Sequence, residues 1–246
     1  MRVFAKSDIG KAREMNQDGY YASQPSEEVG LYIVADGMGG YNGGEVASEL
    51  AIKATKNYIE TNFAETENTK EKLQELVKNA VEYANMIVYE KSKEVPELEG
   101  MGTTLEVALV SHNRVYIGHV GDSRIYRIRK HIIRKLTTDH SYVEKLVKDG
   151  KISREEAIHH PKKNMLTKAL GCTSFVEPDV SVKGFLKEDI LVLTSDGLTN
   201  MVKDEEIYNI INSEIETATD RLIDLANKNG GLDNITVIIV QNRSNS

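Results

Sequence analysis

Cysteine is almost missing: the 246-residue chain holds one, Cys172, so no internal disulfide can form and a small cross-linked secreted fold is excluded. No apolar run approaches the ~20 residues of a membrane span, and the opening MRVFAKSDIG lacks the apolar centre of a signal peptide. Both absences point to a soluble, cytoplasmic protein that works away from the membrane. Proline is sparse: Pro25, Pro96, Pro161 and Pro178 are scattered, each near an expected element boundary. No Pro-, Ser- or Gly-rich tract is long enough for a linker, and no repeat divides the chain. A single domain over residues 1–246, long enough for a substantial core, is the simplest organisation. Basic charge is also short: 31 Lys plus Arg against 38 Asp plus Glu leave −7, which argues against coating nucleic acid or anionic lipid.

What is present is a mixture of strand and helix signals. Apolar, β-branched runs predict strands over 31–34, 105–110, 114–120, 125–128, 190–193 and 235–240. The run from Gly30 to Asp36 is wholly apolar, as in a strand covered on both faces. Apolar residues spaced by three and four predict helices over 45–63, 69–95, 204–211 and 218–228, the last closed by Gly230. The strands at 114–120 and 125–128, joined by Gly121-Asp122-Ser123-Arg124, read as a hairpin. Grouped helices with antiparallel strands predict an α+β layered sandwich.

Aspartate recurs beside glycine at the ends of these strands: Asp36-Gly37, Gly121-Asp122, Asp196-Gly197, and Gly231-Leu232-Asp233 ahead of 235–240. Each alone could be a turn former. Together, on strand ends that can converge, they would repel unless protons or a cation intervene, and oxygen ligands favour Mg²⁺ or Mn²⁺. Two such ions sharing a carboxylate would suit phosphoester hydrolysis. Other chemistries fare worse. The stretch from Gly37 to Gly44 is followed by Glu45-Val46 where a phosphate loop needs Lys-Ser/Thr, and Asn42 breaks the dinucleotide pattern. There is no Gly-x-Ser-x-Gly elbow, Cys172 has no evident histidine partner, and adjacent His159 and His160 make a poor zinc pair. His119 reads as a core or hydrogen-bonded strand residue.

Eight blocks in order carry a resemblance that spans nearly the whole chain. They are Arg13-Glu14-Met15-Asn16-Gln17-Asp18, Asp36-Gly37-Met38-Gly39-Gly40, Gly102-Thr103-Thr104, His119-Val120-Gly121-Asp122-Ser123-Arg124, Thr137-x-Asp139-His140-Ser141, Leu166-Thr167-x-Ala169-Leu170-Gly171, Ser195-Asp196-Gly197 and Gly231-x-Asp233-Asn234. In these the chain resembles the bacterial branch of the PP2C-type (PPM) metal-dependent serine/threonine protein phosphatases. The resemblance implies a four-layer α-β-β-α sandwich, two stacked antiparallel sheets flanked by helix pairs. It implies two Mn²⁺ or Mg²⁺ ions and a weaker third. Asp36 is expected to bridge the two ions, the Gly37 carbonyl to bind one, and Asp196 and Asp233 to complete the other. Asp18 is expected to accept from metal-bound water, Asp122 with Asp196 to hold the third ion, and Arg13 to grip the substrate phosphate. Hydroxide between the two ions would then attack phosphorus directly, without a phosphoenzyme.

The sequence departs from the eukaryotic pattern at three positions: Met38 replaces a histidine proposed as general acid, Gln17 a glutamate, and Asn200 a frequent aspartate. None removes an expected ligand of the binuclear centre. A silent binding module of the same fold would have lost those carboxylates, and a dedicated phosphatase of one regulator usually carries a sensory domain. Residues 141–163 fall where the family has its flap, either a substrate gate or an ordinary surface helix pair: a helix from Ser141 ended by Gly150, then a capping box Ser153-x-x-Glu156. Arg124, Arg127, Arg129, Lys130, Arg134 and Lys135 form a basic run, read as a solvated hairpin or a surface that steers acidic phosphoproteins. The expected partners are phosphorylated proteins and a serine/threonine kinase, with no nucleic acid or membrane, and the chain is expected to act as a monomer.

Overall fold

The computed structural model describes residues 1–24 and 29–243, with residues 40–42 described by their backbone. Strand alternation builds its layers. In β3 (Val29–Met38), Leu31, Ile33 and Ala35 face one way, while Tyr32 and Val34 face the other. The first set packs on a helix pair, α1 (Gly40–Phe63) and α2 (Lys70–Glu94). The second set packs against the other sheet. Gly30 to Ala35 are all buried, as the unbroken apolar run requires.

One sheet has the order β2 (Asp18–Ala22), β3, β5 (Leu105–Ser111), β6 (Arg114–Val120) and β9 (Asp179–Gly184), with the two-residue β4 (Gly102–Thr103) beside β3. The other has the order β1 (Arg2–Asp8), β11 (Ile235–Gln241), β10 (Ile190–Thr194), β7 (Arg124–Arg129) and β8 (Ile132–Lys135). All pairings are antiparallel. A second helix pair, α6 (Asp204–Ser213) and α7 (Ala218–Lys228), covers the outer face of this sheet through Ile207, Ile211, Leu222 and Ile223. Tyr32, Val34, Ile117, Leu191, Leu193 and Ile238 fill the space between the sheets. The result is the four-layer α-β-β-α sandwich.

Local signals hold at the helix ends. Thr69 caps α2 by accepting from the Lys72 N–H, and α7 ends in a Schellman pattern, Gly230 N–H to Asn227 and Gly231 N–H to Ala226. Between β8 and β9 in the chain come α3 (Tyr142–Lys148), capped by Ser141, and α4 (Arg154–His159), opened by the Ser153/Glu156 capping box.

The structure corrects several expectations. The strands 114–120 and 125–128 are not a hairpin: β6 pairs with β5 and β9, β7 with β10 and β8, in opposite sheets. Each strand's apolar set has a better partner elsewhere, and residues 121–123 cross between the layers. Instead β6 forms a hairpin with β5, and β7 one with β8, turning through Lys130 and His131 with φ of 47° and 65°. The first helix begins at Gly40, so the second half of the glycine stretch is helical. Strands β1, β2, β4, β8 and β9 are not marked in the sequence because polar residues interrupt them or their apolar runs are short or absent. Pro96, Pro161 and Pro178 lie beside element boundaries, whereas Pro25 lies outside the described residues.

Candidate active site

The two-residue period that fills the inter-sheet space with Tyr32 and Val34 carries Asp36 onto the same face. Asp18 stands directly opposite it in the β2–β3 register. On β11 the period runs from Val240 and Ile238 to Thr236, on β5 from Val110 and Ala108 to Glu106, and on β6 from Val115 and Ile117 to His119. One end of the inter-sheet layer is therefore apolar and the other polar.

Loops bring the remaining carboxylates to that polar end. Asp196 opens the short α5 (Asp196–Thr199) directly after β10. Gly197 there approaches the 233–234 segment so closely that a Cβ would stand 2.0 Å from the Asn234 carbonyl oxygen, which sets Asp196 beside Asp233. Gly37 is equally constrained, since its Cβ would stand 2.0 Å from the Gly44 oxygen. Asp122 follows the end of β6. A cleft of about 860 Å³ is lined by Arg13, Asp36, Gly37, Asp122, Asp196 and Asp233, with Asn164 and Leu166 at its flank.

The charges are crowded. The Asp36 carboxyl is within hydrogen-bonding reach of Asp196. Burial, then the charges of Asp18, Asp196, Asp122 and Asp233, push Asp36 well above the usual carboxylate range. Burial outweighs hydrogen bonds from Ser195 and Thr236 and pushes Asp18 up to about 7. Burial and Asp196 push Asp122 up to about 8. Asp196 is raised by burial and Asp233, with the Asn200 amide donating to it at 2.9 Å and pulling the other way. An aspartate at position 200 would have added repulsion.

The cluster is gathered but not closed. Among the described residues no three His, Cys, Asp or Glu side chains stand in metal-holding geometry. The guanidinium of Arg13 donates to Asp233 at 2.8 Å, so the residue expected to grip phosphate is here neutralising a carboxylate. Two buried oxygens, Asp18 Oδ1 and Asp196 Oδ1, have no hydrogen-bond partner. Buried carboxylate oxygens without donors, in a set of converging acids, fit hard divalent cations.

Residues the sequence reading left without roles hold the acids in place. Thr104 Oγ1 accepts from the Asp36 N–H at 3.0 Å and contacts Ser123 Oγ at 2.8 Å, while Thr103 Oγ1 donates to the Asp36 carbonyl at 2.9 Å. Ser195 Oγ donates to Asp18 Oδ2 at 2.6 Å. The Asn234 side chain accepts from Gln17 N–H and donates to the Ile9 and Met15 carbonyls, fastening the loop that carries Arg13. His140 clamps the Gly121 peptide, its N–H donating to the carbonyl at 2.7 Å and its Nδ1 accepting from the N–H at 3.1 Å. Its ring stacks at 4.5 Å on His119, which is buried and paired with Glu106. All but Glu106 lie in the motif blocks, yet hydroxyl and amide contacts across strands leave no spacing signal.

Half of the basic run is spent on internal pairs. Arg124 forks onto Asp139, Lys135 reaches the same carboxylate, and Arg129 forks onto Asp189. Those residues brace the hairpin and are not free to steer a partner.

Comparison with known proteins agrees with this geometry. The family model for protein phosphatase 2C matches residues 10–233. Serine/threonine phosphatase Stp of Listeria monocytogenes is 39% identical over 98% of this chain and 96% of its own. The Mycobacterium tuberculosis serine/threonine phosphatase PstP superposes with a TM-score of 0.88 at 35% identity, covering 99% of each chain. The catalytic domain of a serine/threonine protein phosphatase PstP in complex with two manganese ions gives 0.84 at 35% identity, over 97% of this chain and 96% of that one. The chain belongs to the protein phosphatase 2C family and is a protein-serine/threonine phosphatase.

Proposed function

We propose that the enzyme hydrolyses phosphoserine and phosphothreonine by direct attack of hydroxide from between two divalent ions, without a phosphoenzyme. The observation that carries this is the convergence of Asp36, Asp122, Asp196 and Asp233 on one cleft, with buried carboxylate oxygens of Asp18 and Asp196 left unpartnered. Asp36 would hold both ions, the Gly37 carbonyl one of them, and Asp196 and Asp233 the other. Bound there, Mn²⁺ or Mg²⁺ would supply a water nucleophile deprotonated near neutral pH and offset the phosphate's charge. Asp122 with Asp196 would take a weaker third ion.

The chain's own residues do the rest. Asp18, held by Ser195, would accept from water in the site and orient it. A cation at Asp233 would compete with Arg13 for that carboxylate, releasing the guanidinium to fork onto the phosphate. Among the described residues no Ser, Cys or His lines the cleft, and the Thr104 hydroxyl is committed to Asp36 and Ser123. The cleft aspartates, the remaining candidates for a covalent phosphoenzyme, would be occupied in holding the ions. The departing Ser or Thr oxygen would take its proton from water, because Met38 has none to give.

The flap, residues 141–163 within one domain spanning 1–246, would gate substrate entry. Its two helices bury no residue fully, and they border a hollow of about 490 Å³ that shares Asp122, Asn164 and Asp196 with the cleft. We place the enzyme in the cytoplasm as a monomer, opposing a serine/threonine kinase on shared targets. No helix among the described residues is long and apolar enough to cross a membrane.

The test is hydrolysis of a phosphothreonine peptide with Mn²⁺, with Mg²⁺ and with EDTA. Activity should need the metal and fall by at least about 10²-fold in Asp36→Asn, the scale of losing a main electrostatic element. Undiminished metal-dependent hydrolysis by Asp36→Asn would overturn the assignment of the site.

A further inference from the structure

Beside the carboxylate cleft lies a second hollow of about 270 Å³, the space of roughly nine waters at ~30 Å³ each. Its wall is mostly apolar, with Met38, Leu166, Ala169, Cys172, Phe175 and Val176, and its two charged residues are Lys168 and Glu177. Met38 and Leu166 line both spaces, so the groove is continuous with the cleft.

The groove is preformed. Asn85, buried in α2, accepts from the Gly171 N–H at 2.9 Å and donates to the Thr173 carbonyl at 3.1 Å. Thr173 Oγ1 donates to the Phe175 carbonyl at 2.7 Å, and Lys168 Nζ to the Glu177 carbonyl at 3.1 Å. These bonds tie the loop at several points, yet Phe175 stays 64% exposed, more than any other large apolar side chain among the described residues. A lone exposed apolar residue needs no explanation. One fastened on the wall of an apolar groove that opens into an active site does.

Reach names the occupant. Met38 is two residues beyond Asp36 on β3, a distance of about 7 Å along an extended strand. A phosphopeptide with its phosphate at the Asp36 cluster advances about 3.3 Å per residue. Only its near neighbours can meet this wall. We propose that the groove is a subsite for an apolar side chain one or two residues from the phosphorylated serine or threonine. The inference rests on placing the phosphate at the Asp36 cluster, and it makes the enzyme selective among phosphoproteins by an apolar contact.

The experiment uses phosphothreonine peptides of one length carrying Leu, Gly or Asp at each of the two positions before and after the phosphoresidue. Para-nitrophenyl phosphate serves as a substrate too small to reach the groove. At one position Leu should be preferred over Gly by about tenfold in kcat/KM. Phe175→Asp should abolish that preference and Phe175→Leu should keep it, with aryl phosphate hydrolysis unchanged in both. Equal rates for all peptides, or a preference that survives Phe175→Asp, overturns the subsite and leaves the phosphatase site standing. An equal fall for peptide and aryl phosphate in Phe175→Asp also overturns it. Metal-dependent hydrolysis that survives Asp36→Asn strikes instead at the phosphate placement on which the subsite depends.

Discussion

A buried carboxyl whose neighbours are carboxyls binds protons more tightly than water would allow. Asp122, raised to about 8, and Asp18, raised to about 7, hold protons in the folded metal-free protein that the unfolded chain has released. Between the unfolded value near 4 and these folded values the native state binds more protons. Stability contributed by these groups is therefore complete below about pH 4 and declines as pH rises towards about 8. Asp122→Asn removes one such group. In EDTA, the urea-unfolding free energy of this variant relative to the parent should climb across pH 4 to 8 and level off above it. A pH-independent difference would show that Asp122 is not raised by its surroundings.

At the scale of elements, the outer helix pairs and the flap helices differ in what holds them. α2 and α7 bury apolar stripes against a sheet, with Leu73, Val77 and Ala80 in one and Leu222 and Ile223 in the other. α3 and α4 bury no residue fully and depend on their caps, so they should open locally at low cost. Ser153→Ala breaks the capping box and should cost the local structure about 1 kcal/mol. Hydrogen exchange over residues 153–160 should quicken about fivefold while the global melting temperature stays put. A lowered melting temperature with unchanged local exchange would mean that α4 unfolds only with the whole molecule.

At the scale of the molecule, the sandwich mounts acids from both sheets at one polar end, where bound cations would relieve them. Ligand binding to the native state alone stabilises by about 2.7 kcal/mol at a concentration 100 times the dissociation constant. Saturating Mn²⁺ should raise the melting temperature of the parent by several degrees, and Asp36→Asn should lose most of that gain. An equal rise in parent and variant would place the ions elsewhere.

The sequence by itself determined the chain's class and its strongest elements. The covered strand from Gly30 to Asp36, the stripes of α2 and α7, the capping box at Ser153 and the glycine-flanked aspartates were legible because each is a local pattern of period, cap or turn. The ordered motif blocks carried the family and, with it, the layered fold. Tertiary structure alone decided that β6 and β7 part into opposite sheets, because pairing depends on which distant strand offers the better apolar face. It alone set Asp18 across from Asp36, brought Asp196 against both Asp36 and Asp233, put Arg13 on Asp233, and fastened Phe175 beside the cleft. Those are contacts between residues far apart in the chain, and no local pattern encodes a distance across a fold.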